Sequence, residues 1–328
     1  MHTIKPAVGH EACFVCRDNF CFSTLRNCQN GVETEMVFAC KHEGWEGIPH
    51  GGVAMTALLD LADLCWLQIK GENLLYPLAV EWRFADAVVI GDNMSLRATV
   101  KDDDTITVSM QNENSTKIYL QGVIKTQPER VNSSFSLPEP QELIQNFTRN
   151  QALAVYDNCF VCGRKRQFPG LQRRFFRTVI TDDRQSGSDR PAVIVRFGGI
   201  GAEADLAALF QQAPRQLHPG VLAALLDELC GWSGVLAGDL YGFTVRFKLN
   251  INRLPGLDEE IFGFAPTPKV KGRGERKFYF PEGVLYRTKG DGSLEIIASA
   301  SGQWLARDQL RQQFDETHIA EDLSGIIF

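Results

Sequence analysis

No stretch of this chain reaches about 18 uninterrupted apolar residues, the length a helix needs to cross a bilayer, so no membrane span is expected. The opening segment, Met1 to Cys16, lacks a charged region followed by an apolar one and does not read as a secretory signal. Neither sign of charge dominates: 34 Lys and Arg stand against 40 Asp and Glu, for a net charge of −6. Holding a phosphate backbone takes a basic surplus, so nucleic acid is excluded as the main partner. There are nine cysteines, an odd number, scattered among apolar segments. That fits reduced thiols in a cytoplasmic protein better than a disulfide framework. What is present is an ordinary globular composition, 44% hydrophobic and 23% charged. Its 328 residues are enough for two cores of about 100–150 residues each.

The chain repeats itself. Cys13-Phe14-Val15-Cys16 recurs as Cys159-Phe160-Val161-Cys162. His50-Gly51-Gly52-Val53 leads into an apolar run ending Leu58-Leu59-Asp60; His218-Pro219-Gly220-Val221 leads into one ending Leu225-Leu226-Asp227. Trp66 and Trp232 follow, and then the strand-like segments Ala79–Phe84 and Thr244–Leu249. A fixed order of landmarks at long period marks duplication of a folded unit. The spacing differs, with 37 positions from Cys13 to His50 and 59 from Cys159 to His218, so the second half carries an insertion of 22. The insertion is expected near 178–216, including the polar stretch 181–190 and a short extra helix over 203–213. A Pro- and Ser-rich linker lies near Gln127 to Pro140. The boundaries are therefore 1–135 and 145–328.

Val53–Leu67 and Val221–Leu236 are apolar on nearly every face, as buried helices are. Strand patterns follow each one, among them 276–288 and 294–306 in the second half. One buried helix followed by several antiparallel strands, twice over, gives an α+β class. These landmarks (CFVC near a unit's start, HGG, LLD or LLDE on the next helix, a Val-x-Phe strand and the Gly91-Asp92 turn) resemble the hotdog-fold acyl-CoA thioesterase superfamily. The resemblance implies two tandem hotdog domains, each a curved antiparallel sheet wrapped around a long central helix. It also implies an acyl-CoA or related acyl-carrier thioester as the partner molecule, no cofactor, and units that pair side by side. Chains so fused could further associate into homodimers.

A thioester carbonyl must be polarised and then attacked. Free N–H groups at a helix N-terminus serve the first need, and glycine permits close approach. Gly51, Gly52 and Gly220 are the candidate oxyanion and substrate-binding residues. His50 and His218 precede the helices and are candidates for substrate orientation or helix capping. Carboxylates inside apolar helices are costly unless paired or functional, and burial moves their pKa toward useful base strength. The catalytic candidates are Asp227, Asp60 and Glu228, with Asp63 in a similar setting. The resemblance implies that the carboxylate acts from the helix of the partner unit and falls nine positions after the His. Asp227 is nine after His218, whereas nine after His50 is Leu59 and Asp60 is ten. Either a π-bulge restores Asp60, or Asp60 corresponds to Glu228. In the second repeat Pro219 removes one N–H. One composite site, built from the intact Gly51-Gly52 turn and Asp227, is the expectation that follows.

Cys13, Cys16, Cys21 and Cys28 have a spacing open to zinc, but the second half has no counterpart of Cys21 or Cys28, so no metal site is expected. The basic run Pro268–Lys277 is expected at a solvated hairpin tip. Two rivals stand beside hydrolysis. A non-catalytic acyl-CoA-binding or regulatory protein is the first. A dehydratase is the second and ranks last, because neither helix carries both an Asp and a His in one motif.

Overall fold

The computed structural model describes residues 3–4, 13–16, 20–22, 24–115, 117–132, 135–145, 151–182, 188–199, 206–213, 215–274 and 276–318. Its helices are α1 (Gly51–Lys70), α2 (Pro140–Gln145), α3 (Pro219–Leu236) and α4 (Asp308–Thr317). The α1 and α3 starts are built alike. His50 and His218 are extended residues whose Nδ1 atoms accept from the N–H of Gly52 and Gly220, both at 2.9 Å. A side-chain acceptor at this position satisfies an N–H that the helix itself leaves unbonded. Pro219 fits the first turn, where its missing N–H costs nothing. Gly71 ends α1 in the left-handed region, at φ 80°, which glycine adopts without strain.

Both helices are long and apolar enough to cross a bilayer by length and composition alone. Both are instead core helices, with 83% and 78% of their apolar windows buried inside the protein. They touch each other through glycine. A Cβ on Gly52 would fall 2.5 Å from Ala224 Cα, and one on Gly220 would fall 2.3 Å from Thr56 Oγ1. Contacts 52–224 and 56–220 advance in opposite senses along the two helices, so α1 and α3 run antiparallel where they meet.

One antiparallel sheet surrounds this pair. From one edge its order is Thr3–Ile4, Leu25–Cys28, Gly31–Val37, Asn93–Val100, Thr105–Asn112, Ile118–Thr126 and Leu78–Phe84. It continues through Gly242–Ile251, Leu294–Ala306, Glu282–Thr288, Glu260–Pro266, Ser188–Gly198, Phe175–Asp182 and Gln151–Ala152. The seam is Leu78–Phe84 against Gly242–Ile251, with Leu249 opposite Val80 and Phe247 opposite Trp82. Burial alternates along strands such as Thr105–Asn112, one face inward toward the helices. One apolar core runs from Val53 through Leu226 to Trp304, across both halves. A smaller cluster of Phe176, Phe264 and Tyr286 lies under Leu143 of α2 and the preceding segment with Phe135 and Leu137. The expected linker thus covers sheet surface at its C-terminal end as well as joining the halves.

The α+β class is met. Two local expectations change. The run 276–288 is two strands, Arg276–Phe280 and Glu282–Thr288, because Pro281 has no N–H for the ladder. The short helix expected over 203–213 is a single helical turn at 206–208 within the described residues, and Gln211–Ala213 is a strand paired with Gln216–Leu217. That hairpin feeds His218 as the hairpin of Glu43–Trp45 and Ile48–Pro49 feeds His50. Half of the polar stretch, 181–182 and 188–190, belongs to the strands Phe175–Asp182 and Ser188–Gly198, and 183–187 fall outside the described residues. The basic run forms the hairpin Lys269–Arg273 with Arg276–Phe280, its strands exposed near the turn.

Candidate functional site

The helix N-terminus of each half meets the carboxylates of the other. His50 Nε2 lies 3.1 Å from Glu228 Oε2, and His218 Nε2 lies 3.2 Å from Asp60 Oδ1. Each Nδ1 already accepts a backbone N–H, so in the neutral ring the proton sits on Nε2 and points at the carboxylate. α1 has regular α-helical bonding throughout, with no π-bulge. Asp60 is therefore the counterpart of Glu228, and the position of Asp227 is filled in the first half by buried Leu59.

The two surroundings differ. Asp60, Cys13 and His218 are all fully buried. Cys13 Sγ and Cys16 Sγ approach Asp60 Oδ1 and Oδ2 at 3.1 and 3.3 Å. Asp63 is committed elsewhere, accepting from Leu74 N–H at 2.6 Å and from the Gln212 amide at 2.7 Å. Around α3, Asp227 and Glu228 instead line a cavity of about 500 Å³, together with His50, Gly51, Phe84, Thr244 and Tyr279. The volume is in the usual range for small-molecule sites.

Within the cavity, Thr244 Oγ1 donates to Asp227 Oδ1 at 2.8 Å. Asp227 Oδ2 faces the α1 N-terminus, 3.0 Å from where a Cβ on Gly51 would stand and 3.6 Å from His50 Nδ1. Burial pushes the Asp227 pKa above the usual carboxylate value, against the pull of His50 and the Thr244 hydroxyl. Glu228 goes the other way. Burial acts upward on it too, but its bonds from His50 and from Trp232 Nε1 (3.0 Å) outweigh burial and lower it. Two neighbouring carboxylates are thus shifted in opposite directions, Asp227 upward and Glu228 downward. Gly52 N–H is engaged by His50, and Val53 and Ala54 N–H by His50 O at 3.0 and 3.4 Å. Among the described residues that leaves Gly51 as the donor of this first turn with no protein partner. The Tyr279 hydroxyl is also buried without a partner among the described residues.

No family model matches the chain, and no curated protein matches it by sequence. Solved structures do. A putative thioesterase from Novosphingobium aromaticivorans DSM 12444 is 12% identical, with 86% of this chain and 98% of that chain covered at a TM-score of 0.54. The dehydratase domain of RzxB from Pseudomonas fluorescens is 10% identical over 85% of this chain and 96% of its own, at 0.52. A protein with a hot dog fold from Alicyclobacillus acidocaldarius is 15% identical over 86% and 95%, at 0.49. The fold is the α+β hotdog fold.

In this hotdog chain the residues picked out from sequence fall into three groups. Asp227, Glu228, His50 and Gly51 come together at the cavity. Asp60 and His218 meet each other in a fully buried place, where a substrate has no access. Gly52 and Gly220 pack into the contact between the helices, and the N–H of each donates to its capping histidine. Thr244 was missed. A threonine on a strand 17 positions after Asp227 carries no sequence signal. Tyr279 was missed for the same reason.

Proposed function

We propose that the chain is two fused hotdog units that hydrolyse an acyl thioester of the acyl-CoA class at one composite site. The observation that carries this reading is Asp227, a buried carboxylate of raised pKa whose Oδ2 faces Gly51 at the α1 N-terminus inside a cavity. The thioester carbonyl oxygen would accept from Gly51 N–H, where the helix's partial positive charge adds to the bond. Asp227 would take a proton from water as that water's oxygen bonds to the acyl carbon. The carbon–sulfur bond then breaks, and the leaving thiolate receives the proton. Thr244 fixes Asp227 Oδ1, so Oδ2 stays aimed at the reacting place. Tyr279 offers its unmet hydroxyl to a polar group of the substrate. The thioesterase among the structural neighbours agrees with this reading at the level of fold.

Dehydration of a 3-hydroxyacyl thioester is the second reading. It is favoured by the approach of His50 Nδ1 to Asp227 Oδ2, 3.6 Å across the two halves, which separate sequence motifs do not reveal. Hydrolysis fits better because both ring nitrogens of His50 are already bonded. The test is a thiol-release assay over short, long and aromatic acyl-CoAs and over 3-hydroxyacyl-CoAs, with absorbance of the enoyl thioester followed in parallel for the 3-hydroxyacyl substrates. Asp227→Asn should lower hydrolysis by about 10²–10⁴-fold, the usual contribution of a positioned base. Asp60→Asn should leave turnover per folded molecule intact. Enoyl formation without thiol release would decide for the dehydratase. Unchanged turnover in Asp227→Asn would remove the residue assignment.

A further inference from the structure

Each Cys-x-x-Cys loop folds back onto the carboxylate ten positions after its own half's capping histidine. Cys13 Sγ, Cys16 Sγ and an oxygen of Asp60 lie within 4.8 Å of one another. At the other carboxylate, Cys159 and Glu228 of the second half form a similar group with His50 of the first, with Cys159 Sγ 3.9 Å from Glu228 Oε1. Cys162, the second thiol of that loop, is buried and interacts electrostatically with Cys159 and Glu228. A tetrahedral ion with sulfur ligands near 2.3 Å and oxygen ligands near 2.0–2.2 Å sets its ligands about 3–4 Å apart, and the sulfur–oxygen separations of Cys13, Cys16 and Cys159 here are 3.1, 3.3 and 3.9 Å.

We propose that each loop binds a thiophilic divalent cation such as Zn²⁺, held by Cys13, Cys16 and Asp60 in one half and by Cys159, Cys162 and Glu228 in the other. Besides His218 Nε2, two thiols approach the buried Asp60 carboxylate, and thiols are weak hydrogen-bond donors. Deprotonated, the same three groups need a cation, and a cation of borderline softness suits two sulfurs and one oxygen. A backbone bond supports the sulfur as well. Val161 N–H donates to Cys159 Sγ at 3.4 Å, a contact that favours a thiolate over a thiol. The histidines hold the ligand carboxylates from behind. Their Nδ1 atoms accept backbone N–H, so their Nε2–H donates to Asp60 or Glu228 and is not free to bind metal as a neutral ring.

Cys21 and Cys28 belong to the first half alone and are not part of the repeated set. The duplicated set is the cysteine pair and the helix carboxylate, present in both. Each loop also docks on the other half. Phe14 N–H donates to Gln211 O at 3.2 Å, and Phe160 N–H donates to Glu43 O at 2.7 Å. An ion would therefore fasten each loop to its own helix at the junction of the halves.

The full-length chain, purified under reducing conditions without an affinity metal, should contain about two zinc equivalents by elemental analysis. Cobalt exchange should give a thiolate-to-metal charge-transfer band in the near ultraviolet. Cys13→Ser with Cys16→Ser should halve both signals, and Cys159→Ser with Cys162→Ser should halve them separately. If a variant fails to fold, titration of the metal-stripped wild-type chain with cobalt still decides. Metal well below one equivalent with no thiolate band overturns the proposal. So does finding each pair as a disulfide by mass in the reduced preparation. The readout is metal content, so its outcome is separate from that of the thioesterase reading.

Discussion

Replacing Gly52 by alanine tests the helix contact on which the composite site depends. The added Cβ would stand 2.5 Å from Ala224 Cα, 2.6 Å from Ala224 Cβ and 2.9 Å from His50 Nδ1. Carbon pairs rest at about 3.5–4.0 Å, so the overlap is roughly 1 Å. The atom it meets is backbone, which no rotamer change can move. α1 and α3 must separate, and overpacking of this kind costs about 1–3 kcal/mol. At roughly 2–4 °C per kcal/mol for chains of about 200 residues, and less for longer ones, the melting temperature should fall by several degrees. Gly231→Ala in α3 is the control. Nothing lies within 4 Å of a Cβ there, so the better helix former should stabilise by about 0.5–1 kcal/mol. Scanning calorimetry of the two variants beside the wild type should give shifts of opposite sign. If Gly52→Ala melts with or above Gly231→Ala, the close helix contact is not the constraint described here.

Gly51→Ala should keep the unfolding free energy within about 1 kcal/mol of wild type, because its Cβ meets side-chain ends alone, Asp227 Oδ2 at 3.0 Å and the Phe84 ring at 3.4 Å. It should nonetheless lower kcat, measured by thiol release, by displacing the base. Tyr279→Phe removes a buried hydroxyl with no partner among the described residues, so it should leave stability unchanged or raised by up to about 1–3 kcal/mol while raising KM; a large fall in melting temperature would show that the hydroxyl is satisfied within the protein. Acid should weaken the fold through Glu295, which bonds to Arg253 and Arg287 hold down at about 2. A carboxylate depressed in the folded state stabilises fully above its ordinary value of about 4.5, and that contribution is lost as pH falls toward 2. Denaturant midpoints between pH 6 and 3 should therefore drop less steeply in Arg253→Met than in wild type.

The repeat, the two core helices and the carboxylates on them were legible because each rests on local pattern. Helix burial follows from apolar residues on every face, and a carboxylate in such a helix stands out. What pairs with it does not. Asp60 meets His218 and Glu228 meets His50 only because α1 and α3 cross antiparallel at Gly52 and Gly220, and chain order does not encode that crossing. Register counting still narrowed the choice, since equal offsets from the histidines aligned Asp60 with Glu228. Sequence marks Gly51, Gly52 and Gly220 for close approach without saying of what, and Gly52 and Gly220 admit a neighbouring helix. Thr244 and Tyr279 were invisible because residues of a strand reach a site through sheet geometry, and no spacing rule carries that.

The unbroken ladder between Leu78–Phe84 and Gly242–Ile251 has an evolutionary consequence. In a pair of separate identical chains, symmetry writes every substitution twice, so a change that improves one pocket must also be tolerated in the other. Covalent fusion lifts that restriction. Leu59 and Asp227 occupy equivalent helix positions, one closed into the core and one open to a cavity. A selection for stability could act on the first place while a selection for chemistry acted on the second, each without cost to the other.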